Sequence, residues 1–363
     1  MFDPNAHDYW PGPGLWASRE ASEHAPRDVA TSGLIQPPMH AIAVWRLLSE
    51  AQGADLRHRV AALYPKLLAW HRYLVERRDP EGSGLITIYH PWEGTDNSPR
   101  WDAALARIKV GTIPPYARTD VSVVGADERP TSAEYDRYLW LVALLREARY
   151  DDETIQRTHP FLIKDVQKSA VFSAACHSLE RIAEIAGAPR EERSQIARWG
   201  ERSRQAVQEC WDAKLGLALD TDLRTNQRVR VATSAGLCTL LLPGADRTLA
   251  EGTARTLFGT DFAGAADLAY PVVLSTARTS SEFRPRAYWR GPAWPVINWL
   301  LWWGLVQQGM HEAAARLRAP NLALLSRPEA RFAEYFEPFT AEPLGSPDQS
   351  WTAAVALDWL AAD

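Results

Sequence analysis

The sequence predicts an all-α fold, an (α/α)6 toroid in which helical hairpins close into a ring around a central site. Three observations lead there. Apolar residues recur at three- and four-residue steps over most of the 363 residues, and nearly every such stretch is bounded by Pro, Gly, Asp or Ser. Spacers alternate between tight ones, such as Gln52 to Asp55 and Gly187 to Arg190, and long aromatic or charged ones at 79–130, 213–229, 259–291 and 327–348. Short turns join the partners of a hairpin, so the long loops collect on one functional face. Finally, the run Trp294 to Val306 is apolar nearly all round, as an inner helix packed on both sides must be.

In chain order, a loop-like start rich in Pro, Gly and Trp leads to helices at 37–52 and 55–78. Strand-like alternation is confined to short pieces such as Leu85 to Tyr89, in the long spacer that follows. Helices are then predicted at 131–149, 154–163, 165–186, 190–212, 230–242, 246–258, 292–309, 311–326 and 349–361. That makes eleven, so the predicted ring lacks its first N-terminal helix. No low-complexity linker divides the chain, and residues 1–363 read as one catalytic domain.

Composition narrows the partners. The net charge of −5 comes without runs of like charge, which excludes a nucleic-acid footprint and a polybasic membrane patch. Trp294 to Val306 is broken by Pro295 and Asn298 and is shorter than the roughly 20 residues of a membrane span. Cys176, Cys210 and Cys238 are odd in number and far apart, so buried free thiols and a reducing, cytoplasmic location are expected. The first residues lack the basic start and apolar core of a secretion signal. His7, His40, His58, His71 and His90 are scattered without ligand spacing, so neither a metal site nor an organic cofactor is predicted. Self-association into a homo-oligomer is left open.

Residues 89–102, YHPWEGTDNSPRWD, pack three carboxylates, two tryptophans, a histidine and an arginine into one aperiodic loop. Such a mixture suits a site that grips a polyhydroxylated substrate and moves protons. The chain has 16 tryptophans; those at loops, among them Trp92, Trp101, Trp289 and Trp351, with Trp294 in a first helical turn, are the ones expected to stack on sugar. Cleaving a glycosidic bond takes two carboxyl groups, one protonated and one ionised. Two loops offer seven: Glu93, Asp96 and Asp102 in the first, Glu334, Glu337, Glu342 and Asp348 in the second. Asp96 precedes Asn-Ser-Pro, where a helix N-cap is an equally good reading. Residue chemistry alone therefore stops at one acid from each loop.

Four segments carry a resemblance: GLIQPPMHA at 33–41, HPWEGTDNSPRWD at 90–102, YWRGPAWPVINWLL at 288–301, and EYFEPFTAEPLG at 334–345 followed by QSWTAA at 349–354. Together and in this order they resemble glycoside hydrolase family 63, in its branch acting on glucosylglycerate and mannosylglycerate. The resemblance implies the toroid and hydrolysis of an α-glycoside with inversion. It implies Asp96 as general acid and Glu334 as general base, with Glu93 and Asp102 bracing the loop or binding hydroxyls and Glu342 holding the second loop. Substrate contacts implied are Tyr9, Gln36, the backbone at Gly94, Tyr288 and Trp289, joined by the aromatic platforms Trp92 and Trp294. A glycerate leaving group would need a cation; Arg129 is the first choice, with Tyr135 near it, and Arg100 and Arg290 are alternatives. The family's aromatic-rich N-terminal segment has no counterpart here, in keeping with the missing helix. The rival readings are another α-glucosidase on the same ring, acting on a disaccharide or oligosaccharide, and a sugar-binding protein without turnover.

Overall fold

A computed structural model describes residues 11–50 and 54–362, in which eleven helices fall on the predicted segments and four short ones, Pro13–Trp16, Ser18–Ala21, Asp102–Ala106 and Asp120–Val123, lie outside them. The eleven are α1 His40–Glu50, α2 Ala54–Arg77, α3 Ser132–Glu147, α4 Asp152–Thr158, α5 Val166–Ile185, α6 Arg190–Glu209, α7 Ser234–Leu237, α8 Arg247–Leu257, α9 Pro295–Gln307, α10 His311–Leu325 and α11 Ser350–Ala361. Each lies within or beside a predicted segment. The starts are set by local chemistry: Asp165 and Asp246 cap α5 and α8, Thr131 and Glu134 form a capping box on α3, and Pro295 opens α9. Two predicted segments come out shorter. Residues 230–242 become the four-residue α7 and a 3-10 turn Cys238–Leu241, and α4 stops at Thr158 so that Ile163–Lys164 can pair as a strand.

Inner and outer helices differ as the ring demands. Helix α5 buries residues on every side, from Val166 to Ala183, and α9 buries Ile297 through Leu305. By contrast α6 buries only the stripe Ile196, Gly200, Ser203, Ala206 and Val207 and turns its charges outward. Helix α5 packs against α1, α2, α6 and the 238–241 turn, and α9 against that turn, α10 and α11. Asp358 of α11 accepts from Arg46 of α1 at 2.8 Å and from the Trp299 indole of α9 at 2.7 Å, tying the last helix to the first. The three cysteines are buried and unpaired.

Helices α3 and α4 have cores of their own. Their buried residues do not join the large core of the other helices. They build a second lobe with Leu15, Trp16, Trp101, Phe161 and Ile163. The strands are two residues long, too short to show a period of two, and Thr87–Ile88 alone falls where the sequence alternates, at Leu85 to Tyr89. Four of the strands, β1 Thr87–Ile88, β2 Ile163–Lys164, β3 Thr221–Asp222 and β4 Gln227–Arg228, form one antiparallel sheet. The loop 89–102 springs from its edge, between lobe and ring. Among the described residues no helix is long and apolar enough to cross a membrane.

Candidate active site

The loop from Tyr89 to Asp102 is held by buried charge. Glu93 is fully buried and receives both ends of the Arg78 guanidinium, at 2.8 and 3.1 Å, and the N–H groups of Ile35 and Tyr89 at 2.9 and 2.6 Å. Arg100 is buried as well and donates to Asp220 at 2.7 Å, Asp165 at 3.3 Å and Thr95 at 2.8 Å. Because Asp165 caps α5 and Asp220 accepts from the Val166 N–H, the loop is fastened to the start of an inner helix. His90 is neutral, since burial pulls its pKa down to about 3, and both ring nitrogens are spent on backbone at Tyr138 and Trp92.

Five of the seven carboxylates are occupied by the protein itself. Besides Glu93, Asp102 is paired with Arg290, and Glu337 caps its own turn by accepting from Phe339 and Thr340. Glu342 is bridged by both ends of Arg286 at 2.6 and 3.3 Å, and Asp348 pairs with Arg331 at 2.6 Å. Asp96 and Glu334 remain. The capping alternative for Asp96 falls away, since Ser98 caps the 3-10 turn Pro99–Trp101. Among the described residues no other side chain donates a hydrogen bond to the Asp96 carboxyl. Burial pushes its pKa up to about 7; the Glu334 carboxylate adds to the rise, while Arg129 and Lys168 oppose it.

Glu334 enters from a two-stranded hairpin, Tyr335–Phe336 with Pro343–Leu344. Its carboxylate accepts from the Tyr288 hydroxyl at 3.2 Å and the Ser346 N–H at 3.1 Å, and Arg129 stands 3.7 Å away. The same Arg129 lies over the Tyr288 ring at 4.5 Å, and its Nε has no partner. Asn97 joins the two halves: its carbonyl accepts from the Trp289 N–H at 2.9 Å and its amide donates to the Ala287 carbonyl at 3.3 Å. Acid, Tyr288 and base thus form one connected unit.

The aromatic expectations need revision. Trp294 is 1% exposed, with Trp289 stacked 3.8 Å away and Tyr335 4.6 Å away, so it stiffens a platform and has no free face for substrate. Trp101 and Trp16 are buried in the second lobe. Tyr135 stands behind Trp92 at 5.6 Å with Tyr116 stacked on it, and the cation over its ring is Arg118, not Arg129. Arg100 and Arg290 are committed to acids, which leaves Arg129 of the three arginines considered. Gln36 reaches the loop by donating to the Trp92 carbonyl at 2.9 Å. Tyr9 lies outside the described residues, among which no group of three or more His, Cys, Asp or Glu is placed to hold a metal.

The pattern over the whole chain settles the family. Residues 2–352 match the mannosylglycerate hydrolase MGH1-like glycoside hydrolase domain. The chain belongs to this glycoside hydrolase family. A glucosylglycerate hydrolase of Mycolicibacterium hassiacum is 42% identical over 99% of this chain and 82% of its own. A mannosylglycerate hydrolase of Thermus thermophilus is 39% identical over 99% of this chain and 83% of its own. The crystal structure of a family 63 mannosylglycerate hydrolase of Thermus thermophilus with Tris and D-glycerate superposes with a TM-score of 0.88 at 37% identity, covering 99% of this chain and 83% of that one. The protein is thus a glycosidase on the (α/α)6 toroid.

Sequence reasoning missed several residues of this hydrolase's site. Asn97 sits inside the quoted motif but carries no charge to draw notice. Ser346 acts through its backbone. Gly345 left a readable sign, a glycine just after the acid-bearing hairpin: its φ is +70°, and a Cβ there would lie 2.5 Å from Glu334 Oε2.

Proposed function

We propose that this glycosidase hydrolyses a hexosylglycerate, glucosylglycerate or mannosylglycerate, by single displacement with inversion. Asp96 gives its proton to the glycosidic oxygen, so that glycerate leaves with its hydroxyl restored. Glu334 takes a proton from the water that attacks the anomeric carbon on the opposite face. The observation that carries the reading is the contrast between the surroundings of Asp96 and Glu334. Asp96 is held protonated near neutral pH by burial, whereas Glu334 is ringed by donors from Tyr288, Ser346 and Arg129 that suit an ionised base. Tyr288 and Trp289 supply the sugar platform, backed by Trp294. Arg129 has donors to spare for the glycerate carboxylate, and the related Thermus enzyme has been crystallised with D-glycerate. Buried unpaired cysteines support work in a reducing compartment, the cytoplasm.

A substrate panel tests this. Wild type is expected to release hexose from glucosylglycerate or mannosylglycerate and to leave neutral α-glucosyl disaccharides almost untouched. Arg129→Met is expected to raise KM for the glycerate-bearing substrate by about 10-fold or more, the scale of a lost charge-assisted hydrogen bond. Cleavage of a neutral disaccharide with no turnover of either hexosylglycerate would defeat the proposal.

A further inference from the structure

Lys168 is a buried cation that the mechanism above does not use. It stands in the first turn of α5 with only 2% of its surface exposed, at the end of a helix where backbone N–H groups already concentrate positive charge. Burial pulls its pKa below the usual lysine range, with Asp165 and Glu93 opposing the fall and Arg100 and Arg78 adding to it. Neither acid is free to pair with it. Asp165 is taken by Arg100 and the Lys168 backbone N–H, and Glu93 by Arg78 and two further N–H groups. Among the described residues the Lys168 ammonium has neither a hydrogen-bond acceptor nor a carboxylate within ion-pair distance. A buried charge left so is costly unless something outside the fold completes it.

The head of this side chain lies against the catalytic loop. A Cβ on Gly94 would fall 2.7 Å from Lys168 Nζ, inside contact distance, so the missing side chain is what lets the ammonium reach the loop two residues before Asp96. We propose that Lys168 is a sugar-binding residue whose ammonium donates a charge-assisted hydrogen bond to one ring hydroxyl of the hexose lying beside Asp96. The inference rests on the reading of this site as a sugar site. It gives Gly94 a definite role, since the glycine makes room for a donor reaching the loop from the inner helix. It also accounts for a cation kept at the wrong end of a helix.

Binding of glucose and of 2-, 3-, 4- and 6-deoxyglucose, measured by calorimetry on wild type, Lys168→Met and Lys168→Gln, tests it without requiring turnover. Wild type is expected to lose roughly 10- to 100-fold in affinity for one of the deoxy sugars, the scale of a hydrogen bond to a charged group. Lys168→Met is expected to lose the same factor for glucose and to stop distinguishing glucose from that deoxy sugar. Gly94→Ala meets the flexible end of the lysine but also strains a backbone at φ +158°, so Lys168→Gln, which keeps a polar end without the charge, is the variant that folds if Lys168→Met does not, and both should show the same loss of discrimination. Variants that bind glucose as wild type does, or that weaken every sugar equally while keeping the deoxy discrimination, would overturn the assignment. Sugar binding without turnover of any hexosylglycerate would instead defeat the hydrolysis reading and leave this coupling measurable.

Discussion

At the scale of single residues, the proposed mechanism rests on two carboxyl groups in different surroundings, Asp96 buried without a side-chain donor and Glu334 accepting from Tyr288 and Ser346. Asp96 is kept protonated by burial, so activity should fall as pH rises through about 7, and Asp96→Asn should abolish that limb of the kcat/KM profile. Asp96→Asn and Glu334→Gln should each lower kcat by roughly 10²- to 10⁴-fold while still binding sugar, which single-turnover kinetics and calorimetry together would check. The raised pKa also has a thermodynamic sign. The folded state holds this proton more tightly than the unfolded chain, so stability is full at low pH and is lost as pH rises through the folded pKa of about 7. Asp96→Asn should therefore melt a few degrees above wild type at pH 8, with the gap narrowing toward pH 4. Reading the two acids from residues alone failed for a physical reason. Asp-Asn-Ser-Pro is as good a capping sequence as a catalytic one, and only the placement of the Ser98 hydroxyl on the Arg100 N–H separates the two.

At the scale of elements, the loops work because short structures fasten them. The Asn97 side chain pairs one N–H and one carbonyl of the 287–289 turn, so Asn97→Leu would leave two backbone groups unpaired at about 1–3 kcal/mol each. A lower melting temperature and a fall in kcat are expected together, because the turn also carries Tyr288. Gly345→Ala should act on chemistry more narrowly. Its Cβ would press on Glu334 Oε2 and on the Tyr335 ring, so kcat should drop with sugar binding largely kept. The long helices were legible in the sequence since eleven or more residues establish a 3.6-residue period, whereas α4 and α7, of seven and four residues, came out shorter than predicted. Apart from Thr87–Ile88, the two-residue strands and the 3-10 turns at Pro91–Glu93, Pro99–Trp101 and Tyr288–Arg290 were not legible, because so few residues set no period.

At the scale of the molecule, acid and base come from distant parts of the chain and meet only when the ring is assembled. Asp358 is one fastening, linking α11 to α1 and α9 without a hydrogen bond to either acid. Asp358→Ala should lower stability by about 1–3 kcal/mol, read as a drop in melting temperature, and leave kcat at 25 °C unchanged. The alternation of short and long spacers made the ring readable from the sequence. The separate cores around α3 and α4 were not, since an apolar stripe says that a helix is covered and not by what. Trp92, from the loop of the first acid, packs against the core around α3, while Glu334, the partner of Arg129, comes from the loop 327–348. The central claim is that Asp96 and Glu334 act on opposite faces of one anomeric carbon. Proton NMR of the hexose in the first moments of hydrolysis of α-glucosylglycerate tests it most directly. The β-anomer of glucose should appear first and then mutarotate, whereas α-glucose appearing first would contradict the account.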